Sequence, residues 1–496
     1  MARGRRASKR QKMKQVMKDD ENRDFISNLP NDVLIIILSK LRIDEAVRCG
    51  VLSKRWLNIW KRISYLEFDA RHMVKPLTQL LQSREPRTVP DLNILAPSIF
   101  NVVYASNARI IILILSHLGI ISTCRIRHFK KNLGLGDVET WVLCLNSKKG
   151  VKDLSLECAP DCGETEEKLV SWEETYIPYF PIGIFNTLGS LELTNYTMRW
   201  WQPFQGCSQL KKLKLKRICL DAETLNGILK NCEGLENFSL LESTGFNRLV
   251  IQKSKLKVLQ LQALCVEETE ICCMALEVLL LDSIICDAVK MAIFAPFLRE
   301  FNCYCCSIYG RMLSVKRGKS ILQAHLIFSN CFGFFGRPPI CKFFQNLSTL
   351  SIDLDLTSML KAMILSIVFK STPNLQAIEI ALPVFKPKNS VRVPTLHLIS
   401  MFWERQQEWC YCIHHKLKFV YLRGFRAKVQ EMDFVKYLIA RATVLERITI
   451  ICSDSMEAAE NLLSLPRTST NLSIDLRLNT KNSMDEFAEH QDRKLK

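Results

Sequence analysis

The sequence predicts an α/β protein in which a small N-terminal module of three helices precedes an irregular solenoid of short repeats, each with one strand. The chain has 496 residues, of which 48% are hydrophobic and 24% charged, the balance of a folded globular protein. Apolar residues recur at helical spacing near the N-terminus. From about residue 150 a six-residue leucine pattern returns, mostly every 20 to 28 residues. We therefore expect two kinds of structure in one chain.

Residues 1–23 form a basic arm that we expect to be disordered. Eight Lys or Arg and no acidic residue lie within residues 1–18, out of a net charge of +18 for the chain. A nuclear import signal, a tail that contacts nucleic acid and a plain solvated terminus are the alternatives, and the arm has no aromatic residue on which a base could stack. The nucleus, the cytoplasm or both are the expected location. The candidate import residues are Arg3, Arg5, Arg6, Lys9, Arg10 and Lys12.

No export or membrane signal is recognised in the sequence. The N-terminus lacks the apolar core of a secretory signal, and the longest uncharged apolar stretch, residues 110–124, is too short to cross a bilayer. The 20 cysteines are therefore expected in a reducing compartment. There a buried cysteine acts as a small hydrophobic residue, and disulfides are not expected.

The module at residues 24–70 is predicted to hold three short helices. Pro30 suits the first turn of the first helix, and apolar residues then recur over three turns within residues 33–41. Asp44 can cap a second helix and Ser53 a third. Three helices in fewer than 50 residues bury little surface, so the module alone would be only marginally stable.

The stretch 71–145 is predicted to be a connector with irregular first repeats. It contains four prolines, followed by apolar runs that resemble strands.

Residues 146–400 are predicted to form leucine-rich repeats. In the best copies the pattern is leucine-x-x-leucine-x-leucine, which gives a short strand whose alternate leucines enter a shared core while the intervening residues face a concave sheet. Such a face suits the recognition of a large partner better than it suits catalysis. The hexads begin at Val151, Leu188, Leu210, Leu235, Leu256, Leu276, Leu298, Ile321, Leu347 and Leu375, and two more begin further on at Leu417 and Leu445.

One repeat strand carries a basic stripe. Lys212, Lys214 and Lys216 alternate with apolar residues and should point to the concave side. They are candidate target-binding residues for an acidic degron, a phosphorylated peptide or a polyphosphate. A solvated strand face is the alternative interpretation.

Two cysteine-rich segments contain residue types that bind metal ions. Residues 303–306 contain a Cys-x-x-Cys without a second pair at zinc-finger spacing, and residues 410–415 would need a ligand from elsewhere in the fold. Core or surface cysteine is the favoured interpretation, so no metal site is predicted. The sequence also lacks the His-Glu-x-x-His and Gly-x-Ser-x-Gly motifs of hydrolases. We predict no catalytic residues and no cofactor.

Motifs at both ends of the chain resemble known domains. Residues 24–34, 45–48, 51–60 and 65–69 occur in the order of the F-box of plant F-box proteins. Segments within residues 401–480, at 417–425, 433–438, 444–450 and 462–467, resemble the FBD domain, and residues 481–496 form a polar tail. The chain is thereby identified as similar to the plant F-box/FBD/LRR-repeat family. This resemblance implies an α/β fold with an F-box at residues 24–70, a leucine-rich-repeat solenoid and a C-terminal FBD cap.

The resemblance also implies a function. Such a protein would be the non-catalytic substrate-recognition subunit of an SCF-type ubiquitin ligase. Its F-box would dock on the Skp-type adaptor and through it on the cullin-RING ligase, and its repeats would bind a protein target for ubiquitination and proteasomal degradation. The alternatives are a non-degradative protein-binding scaffold and a nuclear interaction protein.

The adaptor-binding residues are carried over from the family onto matching positions. Some are expected to contact the partner and others to pack the module itself. This chain has Asn31 where relatives commonly have Asp, and Ile36 where they have a polar residue. Neither departure removes the docking face. The candidates are Leu29, Pro30, Val33, Leu34, Ile37, Leu38, Val51, Leu52 and Trp56.

Overall fold

The computed structural model of the chain divides into two compact units, Met1–Leu169 and Val170–Lys496. It describes residues 26, 29–70, 109–129, 137–159, 177–178, 180–304, 307–308, 313–316, 323–327, 344–382, 402–405, 410–453 and 455–478. Among these residues, no helix has both the length and the apolar character needed to cross a membrane.

The first unit begins with the helical module. Pro30 precedes the first helix, and its fixed φ of −57° suits the entry to a helix. Leu34 and Leu38, four residues apart and therefore on one face, are fully buried. Two short 3-10 turns, Cys49–Val51 and Trp60–Arg62, follow the second and third helices. The helices are α1 (Asn31–Leu38), α2 (Ile43–Arg48) and α3 (Trp56–Ile59).

The expected capping of the second helix differs from the structure. Asp44 lies inside α2 rather than at its N-cap, which is Arg42. There its carboxylate oxygens lie 3.5 Å from Nε of Arg42 and 3.3 Å from a guanidinium nitrogen of Arg48. Asp44 thus stabilises the helix through charge pairs. Ser53 does behave as expected, because its Oγ accepts a hydrogen bond from the backbone N–H of Trp56 at 3.4 Å.

A parallel three-stranded ladder completes the first unit. Its strands are β1 (Tyr65–Asp69), β2 (Thr123–Phe129) and β3 (Asp153–Ala159). Leu66, Cys124 and Leu154 occupy one inward-facing row of this ladder, in register. Residues 109–116 are helical, and the helix α4 (Asp137–Cys144) runs into a π-helical turn that ends at Gly150.

Parallel strands also form the main sheet of the second unit. All eleven hexads in this unit fall on strands, which confirms the repeat prediction. Leu213 and Leu215 of the second strand are buried while Lys212 is exposed, as the alternation predicts. The strands are β4 (Ser190–Thr197), β5 (Lys212–Cys219), β6 (Asn237–Leu241), β8 (Val258–Gln262), β10 (Val278–Asp282), β12 (Glu300–Tyr304), β15 (Gln323–Ile327), β16 (Thr349–Asp353), β17 (Ala377–Ala381), β18 (Phe419–Phe425), β19 (Arg447–Cys452) and β20 (Ser473–Leu478).

The return segments of the repeats follow the spacing between hexads. Where hexads begin 20 to 23 residues apart, from β6 to β15, the chain returns as a strand and builds a second parallel sheet. Where the interval is 25 or 28 residues, it returns as a helix. Five residues of strand span about 17 Å, a length that takes about 11 residues of helix. The second sheet contains β7 (Arg248–Gln252), β9 (Cys265–Cys272), β11 (Ile285–Phe294), β13 (Ser307–Ile308) and β14 (Leu313–Lys316).

Helices cover the remaining described repeats of the second unit. Asp221 caps the first of them, because its side chain accepts a hydrogen bond from the backbone N–H of Thr224 at 2.7 Å. A short 3-10 turn, Gln202–Phe204, takes this place after β4. The helices are α5 (Ala222–Asn231), α6 (Met359–Ser371), α7 (Phe402–Arg405), α8 (Tyr411–His415), α9 (Val429–Arg441) and α10 (Glu457–Glu460).

Candidate interaction surfaces

The first helix of the module has one face buried in the core and one exposed apolar face. Leu34 and Leu38 are buried, whereas Val33, Ile36 and Ile37 remain exposed. A helix that is apolar on both sides buries its second side against something else. This outer face is the first part of the candidate docking surface.

A second exposed apolar group follows the 3-10 turn after α2. Val51 is 88% and Leu52 65% exposed, and Leu57 on the third helix is also exposed. Trp56 and Ile59, on the other side of that helix, are buried. The helical module therefore presents two sets of bare apolar side chains while its own core is already filled.

Arg55 links the beginning of the first helix to the turn before the third. Its Nε donates a hydrogen bond to Oδ1 of Asn31 at 2.8 Å, and its guanidinium also donates to the backbone carbonyl of Leu29. The first contact joins two residues that are 24 positions apart in the sequence, and the second joins two that are 26 positions apart. Asn31 thus acts as an acceptor through its amide oxygen, as a carboxylate would. Arg55 is not among the candidate residues, because nothing in the local sequence predicts so distant a partner.

The nine carried-over residues divide by burial. Pro30, Val33, Ile37, Val51 and Leu52 are exposed, and Leu29 is half-buried. By contrast Leu34, Leu38 and Trp56 are buried, so they shape the surface and offer no contact area themselves. Ile36, Leu41 and Leu57 are exposed apolar residues that the candidate set left out.

The basic stripe on the repeats is largely paired. Nζ of Lys214 lies 2.6 Å from Oε1 of Glu192 on the neighbouring strand, and Nζ of Lys216 lies 3.4 Å from Oε1 of Glu242. Lys212 is exposed. The stripe lies on the side of the sheet opposite the buried leucines, but acidic neighbours offset two of its three charges.

Apolar side chains occur on the same face two strands further along. Val258, Val278 and Leu280 are half-exposed, while Leu259 and Leu279 on the same strands point into the core. Val258 pairs in register with Val278. This face of the sheet is therefore mixed, with apolar side chains on β8 and β10 beside the charged side chains of β5.

Neither cysteine-rich segment forms a metal centre in the part of the chain that is described. No group of three or more potential ligands occurs there. Cys410 and Cys412 are buried, and Sγ of Cys412 donates a hydrogen bond to the carbonyl of Phe369 at 3.0 Å. Burial raises the pKa of the Cys412 thiol to about 12, so the thiol stays protonated and inert. Cys305 and Cys306 lie outside the described residues, as do the six candidate import residues.

Comparison with known protein families matches both ends of the chain. Residues 26–67 match the F-box domain, and residues 406–450 match the FBD domain. An F-box protein of Arabidopsis thaliana is 27% identical over 443 residues, covering 87% of this chain and 84% of that protein. A putative F-box protein and an F-box/FBD/LRR-repeat protein of the same plant are 31% and 30% identical, over somewhat less than half of either partner.

These matches show that the chain contains an F-box domain and an FBD domain and is similar to plant F-box proteins. Its homologues include Arabidopsis proteins named F-box/FBD/LRR-repeat proteins, so the resemblance identified from the sequence is confirmed. The mixed α/β fold, with short helices at the F-box and a strand-rich remainder, is confirmed as well. The F-box domain supports, in general, an adaptor role in SCF complexes.

Proposed function

We propose that this chain is the substrate-recognition subunit of an SCF-type ubiquitin ligase. The F-box binds a Skp-type adaptor, and the repeats hold a protein target for ubiquitination and degradation. The chain itself supplies no chemistry. It raises the effective concentration of target lysines near the ubiquitin thioester of the conjugating enzyme.

The exposed apolar surface of the F-box carries the proposal. Its central members are Val33, Ile37, Val51, Leu52 and Leu57. At about 1.5–3 kcal/mol per apolar side chain buried, five of them contribute on the order of 10 kcal/mol. Association costs about 4–15 kcal/mol, so the surplus is small and each central side chain matters.

Adaptor binding by purified proteins tests this proposal. In the double variant Val51→Asp with Leu52→Asp, two of the most exposed apolar residues become charged and should lose contact with the adaptor. We expect at least a hundredfold loss of affinity in calorimetry, about 3 kcal/mol. Ile182→Asp, at a 71% exposed apolar position in the second unit, is the matched control and should bind normally. Unchanged binding of the F-box variant would contradict the proposal.

For the target, we propose the concave face of the second unit, from Lys212 on β5 to Leu280 on β10. Its polar and apolar side chains follow one another across neighbouring strands, which suits a folded or extended protein partner. Proximity labelling in plant cells, with and without the F-box, should identify proteins that accumulate when the F-box is missing. A set of neighbours whose abundance never changes would favour a non-degradative scaffold.

The proposed location is the nucleus and the cytoplasm, with the basic arm as the import signal. Charge density supports this proposal, since the arm is free of acidic residues over 18 positions. A fluorescent fusion in which the six import candidates are replaced by alanine should be depleted from the nucleus. Unchanged nuclear signal would remove the arm from this role.

A further inference from the structure

An exposed apolar patch lies in the first unit outside the F-box match. Residues 109–116 are helical, and Ile110 and Ile114 bury one face of that helix. The opposite face and the turn that follows are also apolar yet bare. The members of this 112–120 patch are Ile112 (58% exposed), Leu115 (49%), Leu118 (69%) and Ile120 (75%). A helix that is apolar all round normally has both faces covered, and no described residue covers the outer half of this one.

The patch adjoins the end of the F-box. The backbone N–H groups of Leu118 and Gly119 both donate to the carbonyl oxygen of Lys61, at 2.9 and 3.1 Å. Nε2 of the buried His117 lies 2.8 Å from the carbonyl oxygen of Ile63. Lys61 follows the exposed Leu57 by four residues, about one helical turn. The patch therefore begins directly beside the last helical turn of the F-box.

Charge around the patch points to one kind of partner. Residues 46–66 contain five Lys or Arg and no acidic residue, and residues 92–136 also contain no acidic residue. Lys54, Arg55 and Arg62, all within the first of these stretches, are exposed. A partner with acidic side chains around an apolar centre would match the surface in both respects.

The size of the patch indicates whether it binds a partner of its own or the partner that also binds the F-box. A stable interface takes about 800 Å² and 20–30 residues from each protein, far more than four side chains supply. The patch alone is therefore too small for a second copy of the chain or an independent protein. As an extension of the F-box interface it adds apolar area to a contact that is already formed.

We propose that the Skp-type adaptor bound to the F-box also covers the 112–120 patch, with acidic side chains facing Lys61 and Arg62. This inference rests on the proposed function of the F-box. It enlarges the docking site from the F-box match at residues 26–67 to a composite surface that includes a segment more than 40 residues further along the chain.

Calorimetry with the full chain and a purified Skp-type adaptor tests the inference. Leu118→Asp with Ile120→Asp should weaken binding at least tenfold, whereas the control Ile182→Asp should not. Ile112→Ser with Leu115→Ser is a milder second variant that alters only the exposed face, and it should weaken binding by about three- to tenfold. Circular dichroism checks that each variant is folded. Hydrogen exchange of the unmodified chain should show protection of residues 112–120 when the adaptor is added.

The outcomes separate this inference from the proposed function. Both patch variants binding within twofold of the unmodified chain, with no protection of residues 112–120, would overturn the inference even though Val51→Asp with Leu52→Asp abolishes binding. A change of oligomeric state in the patch variants at unchanged adaptor affinity would assign the patch to a second copy and also overturn it. No binding by the unmodified chain would overturn the proposed function and, with it, this inference.

Discussion

A buried histidine makes the core of the first unit sensitive to acid. His128 lies on β2, completely buried, with its ring edge-on to that of Trp141 at a centroid distance of 5.6 Å. Its Nδ1 lies 3.1 Å from the carbonyl oxygen of Phe129. Loss of hydration on burial lowers the pKa of His128 from 6.5 to about 4, an effect that the hydrogen bond to Phe129 opposes only in part.

The sign of the pH effect follows from that lowered pKa. The unfolded chain takes up a proton at this histidine below pH 6.5, while the folded chain does so only near pH 4. The unfolded state therefore binds more protons in this window, and stability falls as the pH falls through it. At pH 5 this single group reduces the free energy of unfolding by about 2 kcal/mol relative to pH 7, and the limit at lower pH is about 3 kcal/mol.

Urea unfolding of the full chain and of His128→Gln, followed by tryptophan fluorescence at pH 7 and pH 5, measures this contribution. The glutamine variant is less stable at pH 7, because it lacks the packing against Trp141. Between the two pH values, however, it should lose about 2 kcal/mol less stability than the unmodified chain. All other titrating groups, including His117, cancel in this difference. Equal pH dependence of the two proteins would refute the argument.

Four further substitutions, all in the second unit, should change stability as measured by urea unfolding of the full chain. Ala263 is exposed at a φ of +49°, so Ala263→Gly should stabilise the folded state by about 0.5–1 kcal/mol. The same change at the exposed helical Ala458 should destabilise it by a similar amount. Stability changes of the same sign in the two variants would refute this prediction. Gly424→Ala places a Cβ 2.5 Å from the carbonyl oxygen of Leu382 at a φ of +81° and should cost about 2 kcal/mol; a neutral result would contradict it. Glu431→Ala removes a buried acceptor of two backbone N–H groups and should cost about 1–3 kcal/mol; an unchanged midpoint would show that water replaces it.

The strands of the main sheet could be predicted wherever the hexad kept its leucines. The edge strand β20 was missed because its hexad begins with Asn471 in place of leucine, although Ile474 and Leu476 pair in register with the core residues of β19. The strands β1 and β2 also follow hexads, which begin with Ile63 and Ile121; β1 lies within the F-box motif, and β2 lies in the stretch that was predicted only as irregular first repeats. In these copies isoleucine occupies the buried position of leucine with the same side-chain volume, so the strand forms although the leucine pattern is incomplete.

The second sheet could not be predicted from residue type alone. The return strand β9 contains three glutamates between valine and isoleucine, a composition that shows no clean alternation. What selects a strand there is the length of the repeat, since about 20 residues leave no room for a helix of three turns after the hexad and its turns. The hexad intervals therefore predict the second sheet only when they are combined with the rise per residue of a strand and of a helix.

For the candidate docking site, the sequence predicted which residues are apolar but not which of them are exposed. Helical spacing identified which residues are apolar, but the division between the buried Leu34 and the exposed Ile36 depends on where α2 and α3 pack against the first helix. The contacts of Arg55 join residues more than 20 positions apart, and the 112–120 patch is separated from the F-box by about 45 residues. Such long-range relations leave no local signal in a single sequence.

The pairing of the basic stripe changes which target chemistry the repeat face favours. Ion pairs as exposed as Lys214 with Glu192 contribute about 0–1 kcal/mol each, so they form and break readily. A phosphorylated or acidic target would have to compete with Glu192 and Glu242 for these lysines and would bring its own negative charge close to both glutamates. The half-exposed Val258 and Val278 impose no such cost on a partner. Affinity on this face is therefore expected to come from apolar contact at β8 and β10, with the charged strands setting the orientation of the target.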